Sequence, residues 1–225
     1  YFYEESRSPV ASPLVIAPKA TKPFIRFCGD YSPINKYIPT GHYTIPIIRH
    51  ELDTIIGYKL FLDIDLTNAY HQISLHPETS AYLSVQTPWG QFQPKFMPEG
   101  IGPGSSILQE TVRKIFGSFE WAIVIFDNVL ILAHDYQDAF VKLETFLDKC
   151  IEHNVILKFA KTWLGFKKVK FFGYECTHNT LKLTDDRKQA IMEIPFPATG
   201  NKCKKVRSLL GCGVMFTPFV ANYSE

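Results

Sequence analysis

The stretch AIVIFDNVLIL, residues 122–132, places one polar pair inside an otherwise apolar run. The apolar segments 122–126 and 129–132 flank Asp127 and Asn128, a pattern typical of a tight β-hairpin. Asp and Asn tolerate the backbone angles of turns, so the pair could be no more than the turn itself. Alternatively, the turn could hold the Asp127 carboxylate at the end of two rigid strands, as an active site requires. The pattern alone leaves both interpretations open.

A second carboxylate interrupts an apolar segment much earlier in the chain. FLDIDL (61–66) alternates, which predicts a strand with three aliphatic side chains on one face and Phe61, Asp63 and Asp65 on the other. Burial of an unpaired carboxylate is costly, so such strands need a partner or a metal ion. If the two segments are neighbours in one sheet, Asp65 and Asp127 could converge on hard cations such as Mg²⁺. Two such ions, about 3.5–4 Å apart, support in-line phosphoryl transfer.

The other patterns predict the α+β class, with helices packed on a mainly antiparallel sheet, because strands and helices do not alternate as βαβ units. Strands are predicted at 12–18, 24–31 and 169–176, and a hairpin at 83–96 that turns near 88–90. Helices are predicted over 44–57, from the cap Thr184 to before Pro195, and over 202–220. Another helix should begin at about Ser105 and carry an apolar stripe of Leu108, Val112, Ile115, Phe116 and Phe119. A further helix should follow the N-cap Asp135 and bury Phe140, Leu143, Leu147 and Ile151.

Composition restricts the class of protein. A chain of 225 residues can bury a sizeable core as one large or two small domains, and 46% hydrophobic with 20% charged residues is ordinary for a globular protein. Five scattered cysteines without a CxxC favour a reducing compartment over a zinc site or disulfide framework. No apolar run approaches the roughly 18 residues that span a bilayer, and no signal peptide opens the chain. We therefore expect no membrane segment and an intracellular location.

The charge distribution leaves one question open. A net charge of +2 neither requires nor excludes nucleic acid as a partner. Lysines cluster in 158–170, and Lys and Arg residues cluster again in 202–207. Each cluster could be a solvated face or a set of phosphate contacts. Because the chain starts without Met and stops after an apolar segment, we expect it to be a piece of a longer protein.

Six segments carry a specific resemblance. They are, in order, RFCGDYSPIN (26–35), FLDIDLTNAYHQI (61–73), MPEGIGPGSSILQ (97–109), IFDNVLIL (125–132), KTWLGF (161–166) and KFFGYEC (170–176). Together they resemble the successive motifs of the reverse transcriptase domain in gypsy-type LTR retrotransposon polyproteins, over about residues 8–223. The stretch 209–224 is similar to the segment that precedes the RNase H domain in those polyproteins.

The resemblance implies a right-hand polymerase fold. The fingers would comprise 1–39 and 74–103, the palm 40–73 and 104–178, and a partial thumb or connection 179–225, ahead of an expected RNase H domain. The implied activity is template-directed DNA synthesis. The implied partners are an RNA or DNA template with its primer, deoxynucleoside triphosphates, and an RNase H domain with other polyprotein segments. The implied location is a cytoplasmic particle or the nucleus, and no membrane is implied as a partner.

The resemblance also implies roles for individual residues. Two Mg²⁺ (or Mn²⁺) ions would be held by Asp65, Asp127, Asn128 and the backbone carbonyl of Leu66, and Lys161 would protonate the departing pyrophosphate. Nucleotide-binding residues would be Lys19 and Arg26 at the triphosphate, with Ala69, Tyr70, Gly100 and Gln109; Tyr70 would exclude a 2′-hydroxyl. Primer and template contacts would come from Phe172, Gly173, Tyr174, Lys158 and Lys168. Glu99 falls where other reverse transcriptases have a residue facing the nucleotide, and because an acid there would repel phosphate, no role is assigned to it.

Two positions depart from the family pattern. Asn128 and Ile125 stand where the resemblance would place an aspartate and a tyrosine. An amide can still ligate Mg²⁺ through its oxygen but lacks the charge, and polymerases of negative-strand RNA viruses have a similar Gly-Asp-Asn hairpin. We expect an active reverse transcriptase. A catalytically silenced module that binds nucleic acid or serves as an interaction domain, and an RNA-synthesising polymerase, remain as alternatives.

Overall fold

The computed structural model of the chain describes residues 2–19, 22, 24–39, 48–194, 202–213 and 219. The strands in this part are β1 (Tyr3–Glu5), β2 (Ser12–Pro18), β3 (Ile25–Gly29), β4 (Leu60–Asp65), β5 (Val85–Thr87), β6 (Gly90–Pro94), β7 (Ala122–Ile125), β8 (Asn128–Ala133), β9 (Trp163–Phe166), β10 (Lys168–Phe171), β11 (Tyr174–Thr177) and β12 (Leu181–Leu183). The helices are α1 (Ile48–Asp53), α2 (Pro77–Tyr82), α3 (Gly104–Phe116), α4 (Tyr136–Glu152), α5 (Asp185–Met192) and α6 (Lys202–Gly213).

The central sheet has four antiparallel strands in the order β7-β8-β4-β9. Every residue of β8 after Asn128 is fully buried, because apolar layers cover both faces of the strand. On one face, Val129 and Ile131 pack with the buried sides of α3 and α4. On the other, Leu130 and Leu132 pack with residues of α1 and of the β10-β11-β12 sheet. The strands that carry the two acidic motifs are therefore held rigidly in the middle of the molecule.

A second sheet has the order β1-β6-β5-β2-β3 and contains one parallel pairing, between β2 and β5. Its small core includes Tyr31, Leu83 and Val85. The predicted hairpin over 83–96 is confirmed as β5 and β6, and the predicted strands over 12–18 and 24–31 are confirmed as β2 and β3. All five strands lie within the ranges 1–39 and 74–103.

The segment 169–176 forms two strands rather than the single strand predicted. The turn between β10 and β11 consists of Phe172 and Gly173, which have φ angles of 49° and 84°. Positive φ at both central residues is the condition for a tight two-residue hairpin turn. The sequence does not indicate this turn, because positive φ is uncommon for an aromatic residue such as Phe172.

Helix α4 starts as predicted, and the prediction of its buried face is confirmed in part, since Leu143 and Leu147 pack against the core. The Asp135 side chain accepts a hydrogen bond from the Asp138 backbone N–H at 2.9 Å, so the predicted N-cap is confirmed. Phe140 and Ile151 are 64% and 76% exposed, whereas Ala139, Phe146 and Cys150 are buried. The predicted set and the observed set of buried residues both have the spacing of one helix face. Ala139 is smaller than Phe140, so it lets the helix lie close to the sheet.

The remaining helix predictions are confirmed in the part of the chain that the structure describes. Helix α3 buries Leu108, Val112 and Phe116 as its apolar stripe predicts. Of the helix predicted over 44–57, residues 44–47 lie outside the described residues, as do 214–218 and 220 of the last predicted helix. Helix α5 follows Thr184, whose carbonyl accepts from the Arg187 and Lys188 backbone N–H groups and whose hydroxyl donates to the Gly173 carbonyl at 3.3 Å.

Two further observations concern the described residues. No helix among them is both long and apolar enough to cross a bilayer. The five cysteines form no disulfide.

Candidate active site

The register between β4 and β8 places the two acidic motifs side by side. Asp65, the last residue of β4, lies directly opposite Asn128, the first residue of β8. The Leu66 backbone N–H donates to the Asp127 carbonyl at 2.8 Å. Opposed residues of antiparallel strands have Cβ atoms about 4.5–5.5 Å apart and point to the same face. The structure therefore brings Asp65, Asp127 and Asn128 together at one end of the central sheet.

The hairpin turn lies one residue earlier than the sequence suggests. Its two central residues are Phe126 and Asp127, and Asn128 already pairs with Ile125 as part of the β7–β8 ladder. Phe126 has φ 55°, a conformation that is strained for a bulky residue. The Asn128 side-chain Nδ2 donates to Asp127 Oδ1 at 3.2 Å. An aspartate at position 128 could not make this contact, because two carboxylates so close together repel each other.

Gln109 of α3 holds this strained turn in place. Its Oε1 accepts from the Phe126 backbone N–H at 2.7 Å, and its Nε2 donates to the Val124 carbonyl at 2.9 Å. The residue is 1% exposed. The Gln109 side chain is thus buried behind the hairpin, with both its oxygen and its nitrogen hydrogen-bonded to the turn. A polar residue beside the apolar stripe of α3 is the signal that could have identified this role. The predicted contact of Gln109 with the nucleotide stays a prediction.

The Lys161 ammonium lies next to the Asp65 carboxylate. Its Nζ is 3.6 Å from Asp65 Oδ2, with the lysine largely exposed and the carboxylate mostly covered. The 3₁₀ turn Phe159–Lys161 leads into β9, and the Lys158 backbone N–H donates to the Asp65 carbonyl at 2.8 Å. The backbone of this lysine-bearing segment is thus tied to the strand that carries Asp65. The Lys158 side chain is exposed.

The predicted triphosphate residues share a cavity of about 260 Å³. Lys19 and Arg26 line it together with Asn68, His71 and Glu99. The Arg26 guanidinium forms an ion pair with the Glu99 carboxylate. Burial lowers the pKa of His71, and the Glu99 charge acts in the opposite direction. The charged lining therefore has two basic side chains and one carboxylate, a small excess of positive charge, which favours an anion.

Ala69, Tyr70 and Gly100 have different surroundings. Ala69 is buried in the main core, so any contact with a nucleotide would have to come from its backbone. The Tyr70 hydroxyl lies 3.0 Å from the Ser105 hydroxyl, at the start of α3, with its ring partly buried. Gly100 is exposed, has φ 96°, and accepts a hydrogen bond from Asn35 through its carbonyl. A residue with a side chain would be strained there.

The predicted primer contacts divide between exposed and buried groups. Phe172 and Gly173 form the turn of the β10–β11 hairpin, but Tyr174 is buried in the second core. The Tyr174 side chain therefore packs in the protein interior, and the predicted primer contact of this hairpin stays a prediction. Lys168 pairs with Glu175 at 2.7 Å across this hairpin and remains half-exposed.

The donor atoms around Asp65 fit a hard divalent cation. Two carboxylates, the Asn128 amide oxygen and the Leu66 carbonyl are oxygen ligands of the kind Mg²⁺ prefers. Burial, and then the charge of nearby Asp65, raise the pKa of Asp63 to about 6. Among the described residues, no group of three or more His, Cys, Asp and Glu side chains is placed to hold a metal ion. A cation site here would depend more on water and substrate oxygens.

Comparison with known proteins identifies relatives over most of the chain. Residues 17–176 match the family model described as reverse transcriptase (RNA-dependent DNA polymerase). The transposon Tf2-7 and Tf2-3 polyproteins of Schizosaccharomyces pombe are 27% and 26% identical to it over 223 residues, or 98% of the chain. The chain spans 16% of the length of these curated relatives.

Solved structures share the fold. A foamy viral protease-reverse transcriptase in complex with dsDNA aligns with a TM-score of 0.84 at 22% identity, covering 100% of this chain and 46% of that one. The complex of the foamy viral protease-reverse transcriptase with an RNA/DNA hybrid aligns with a TM-score of 0.81 at 22% identity, covering 99% and 30%.

We expect Gln109→Leu to destabilise the protein by about 1–3 kcal/mol, because it leaves the buried Phe126 N–H and Val124 carbonyl without their partner. Urea denaturation followed by circular dichroism measures the change. Glu110→Gln is the matched control, since Glu110 pairs with Lys114 at the surface of the same helix. Equal stability of the Gln109→Leu variant and the wild type would show that the hairpin does not depend on Gln109.

Proposed function

The chain belongs to the reverse transcriptase (RNA-dependent DNA polymerase) family, and from that membership we propose that it adds deoxynucleotides to a primer, directed by an RNA or DNA template. The comparisons confirm the resemblance to retrotransposon reverse transcriptases and the α+β polymerase fold. The observation that supports catalysis most directly is the pairing of Asp65 with Asn128, which brings Asp127 beside Asp65. Two carboxylates from neighbouring strands suit a two-metal site.

In the proposed reaction, the primer 3′-hydroxyl oxygen forms a bond to the α-phosphorus of the nucleotide. The bond from that phosphorus to the bridging oxygen breaks, pyrophosphate leaves, and the hydroxyl proton passes to water. Asp65, Asp127, the Asn128 amide oxygen and the Leu66 carbonyl would hold two Mg²⁺ ions, which when bound activate the hydroxyl and stabilise the charge on the phosphate oxygens. Lys161, whose ammonium lies 3.6 Å from Asp65, would donate a proton to the pyrophosphate.

The remaining residues would bind and select the substrates. Arg26 and Lys19 would hold the triphosphate in the cavity they share. Tyr70 would lie under the sugar and exclude a 2′-hydroxyl, with its ring held by the bond to Ser105. Gly100 would lie near the new base pair, where its lack of a side chain permits close approach.

The nucleic-acid partner is a proposal that rests on the fold and on exposed groups. The foamy viral protease-reverse transcriptase, whose fold this chain shares, is described in complexes with dsDNA and with an RNA/DNA hybrid. We propose that the turn at Phe172 and Gly173, with Lys158 and Lys168, contacts the primer and template here. We further propose that residues 1–39 and 74–103 act as fingers and that residues 40–73 and 104–178 act as palm. Residues 179–225 would begin a thumb, and an RNase H domain would belong to the same polyprotein.

Asn128 favours one alternative function, that of a silenced module which binds nucleic acid without turnover. At about 4 Å and an effective dielectric near 20, the missing charge removes an attraction of about 4 kcal/mol toward a unit charge, before screening. This weakens cation binding without removing the two carboxylates. An RNA-synthesising polymerase would tolerate the amide but would be obstructed by Tyr70.

Primer extension on poly(rA)/oligo(dT) with dTTP and Mg²⁺ or Mn²⁺ tests the proposed function. We expect the wild type to extend the primer, and Asp65→Asn and Asp127→Asn to lose at least about a hundredfold in rate, because each removes a carboxylate that would hold the ions. Asp63→Asn is the matched control on the same strand and should keep its activity. A folded wild type that extends no primer with either metal would contradict the proposal and favour the silenced module.

Asn128→Asp should lower the Mg²⁺ concentration needed for half-maximal extension, because it restores a negative charge beside the two carboxylates. Calorimetric titration of the primer-free protein with Mn²⁺ should show correspondingly tighter binding. Asn154→Asp is the control, since it adds the same charge at an exposed position after α4. Unchanged Mg²⁺ and Mn²⁺ midpoints would show that position 128 does not contribute to the cation site.

Tyr70→Ala should raise ribonucleotide incorporation relative to deoxynucleotide incorporation, because trimming the ring removes the steric exclusion. The ratio of kcat/KM for UTP to that for dTTP measures this selectivity. Tyr70→Phe keeps the ring and removes only the bond to Ser105, so it should retain most of the discrimination. If Tyr70→Ala stays active with an unchanged ratio, the ring is a packing element and not a gate.

A further inference from the structure

The ion pair between Arg26 and Glu99 lies in the cavity assigned above to the triphosphate. Arg26 belongs to β3, and Glu99 follows β6 in the segment that leads to α3. Their side chains are 50% and 41% exposed, and both line the cavity. The guanidinium that should receive phosphate therefore already contacts a carboxylate of the same chain.

Glu99 is the one carboxylate among the described residues that line this cavity, beside Lys19, Arg26 and His71. Its influence extends to other groups around the cavity. After burial, the Glu99 charge contributes to raising the pKa of Tyr3 and of Cys28. Arg26 acts on Cys28 and His71 with the opposite sign. The Glu99 carboxylate thus acts electrostatically on groups around the space that a triphosphate would occupy.

Stability does not explain this pair. Ion pairs between half-exposed side chains contribute little to folding, because water screens them and ordering two long side chains has an entropic cost. A guanidinium recognises carboxylate and phosphate oxygens through the same planar set of N–H donors. A triphosphate carries more charge than one carboxylate, so it can displace Glu99 from Arg26, but it must first break the existing contact.

We propose that Glu99 acts as an internal competitor of the incoming nucleotide, occupying Arg26 when no triphosphate is bound and weakening triphosphate binding. This inference rests on the proposed function and deepens it, because it assigns a residue that sets the nucleotide affinity of the same site. Glu99 is displaced before the reaction, so it raises KM for the nucleotide and leaves kcat nearly unchanged. Its effect operates through Arg26.

A double-mutant cycle tests the competition. Wild type, Glu99→Gln, Arg26→Ala and the double variant are compared for KM and kcat with dTTP on poly(rA)/oligo(dT), and for binding of inorganic tripolyphosphate by calorimetry. Glu152→Gln is the matched control, because Glu152 pairs with Lys149 at 2.8 Å on the distant helix α4. Glu99→Asp is a second variant, which keeps the charge but shortens the reach to Arg26.

We expect Glu99→Gln to lower both the KM for dTTP and the Kd for tripolyphosphate about two- to fivefold, the range typical of an exposed ion pair, with kcat within about twofold. Glu99→Asp should change both in the same direction by less. The effect should disappear in the Arg26→Ala background and shrink as salt rises, because exposed charges are screened. Glu152→Gln should change neither constant.

Three results would overturn the competition. A rise in both constants in Glu99→Gln would mean that Glu99 orients Arg26 for the phosphate. Unchanged constants would mean that the pair has no effect on binding, and an undiminished effect in the Arg26→Ala background would mean direct repulsion of phosphate. Failure of the proposed function has a different signature: no variant extends the primer, while the tripolyphosphate titrations still decide how Glu99 acts.

Discussion

The pairing of β4 with β8 is the constraint on which the site depends. Side chains alternate along a strand, so a slip of one residue would turn Asp65 toward the α3–α4 core and move Leu66 to the opposite face. The buried residues on both sides of β8 prevent such a slip, because each face fits a different apolar layer. The relative position of the carboxylates is therefore fixed by hydrophobic packing well away from the charges themselves.

At the end of this rigid pairing, the turn carries local strain. Phe126 adopts positive φ, and Gln109 binds the backbone on both sides of it. The two hydrogen bonds are shielded from water, which makes them costly to lose. The amide of Asn128 lies beside Asp127 at the same place. An arrangement with one fewer negative charge is easier to fold in the absence of cations, and at the proposed cation site it would bind them less tightly, so stability and metal affinity would oppose each other at position 128.

Much of this architecture could be predicted from the sequence. Alternation predicts β4 and the aliphatic face beneath Asp65, and the motif order predicts which distant segments meet. The buried face of α4 could be predicted only in part: Leu143 and Leu147 pack against the core, but only the sheet decides whether Phe140 or Phe146 is buried with them. The role of Gln109 could not be predicted either, since it depends on where the carbonyl and N–H groups of another segment lie in space. The pairing of Glu99 with Arg26 could not be predicted for the same reason, because the two residues are 73 positions apart in the sequence.

The order in which the central sheet is assembled has a consequence for synthesis on the ribosome. Strand β4 takes its first central-sheet partner from residues 128–133 and its second from 163–166, so its hydrogen bonds cannot be completed until about a hundred further residues have emerged. Contacts so distant in sequence form slowly, because a long loop must close before they stabilise the chain. In the interval, the apolar faces of β4 are uncovered and available to chaperones or to neighbouring nascent chains. Asp65 and Asp127 can meet once β8 has docked, whereas Lys161 joins them only at a later stage of chain elongation.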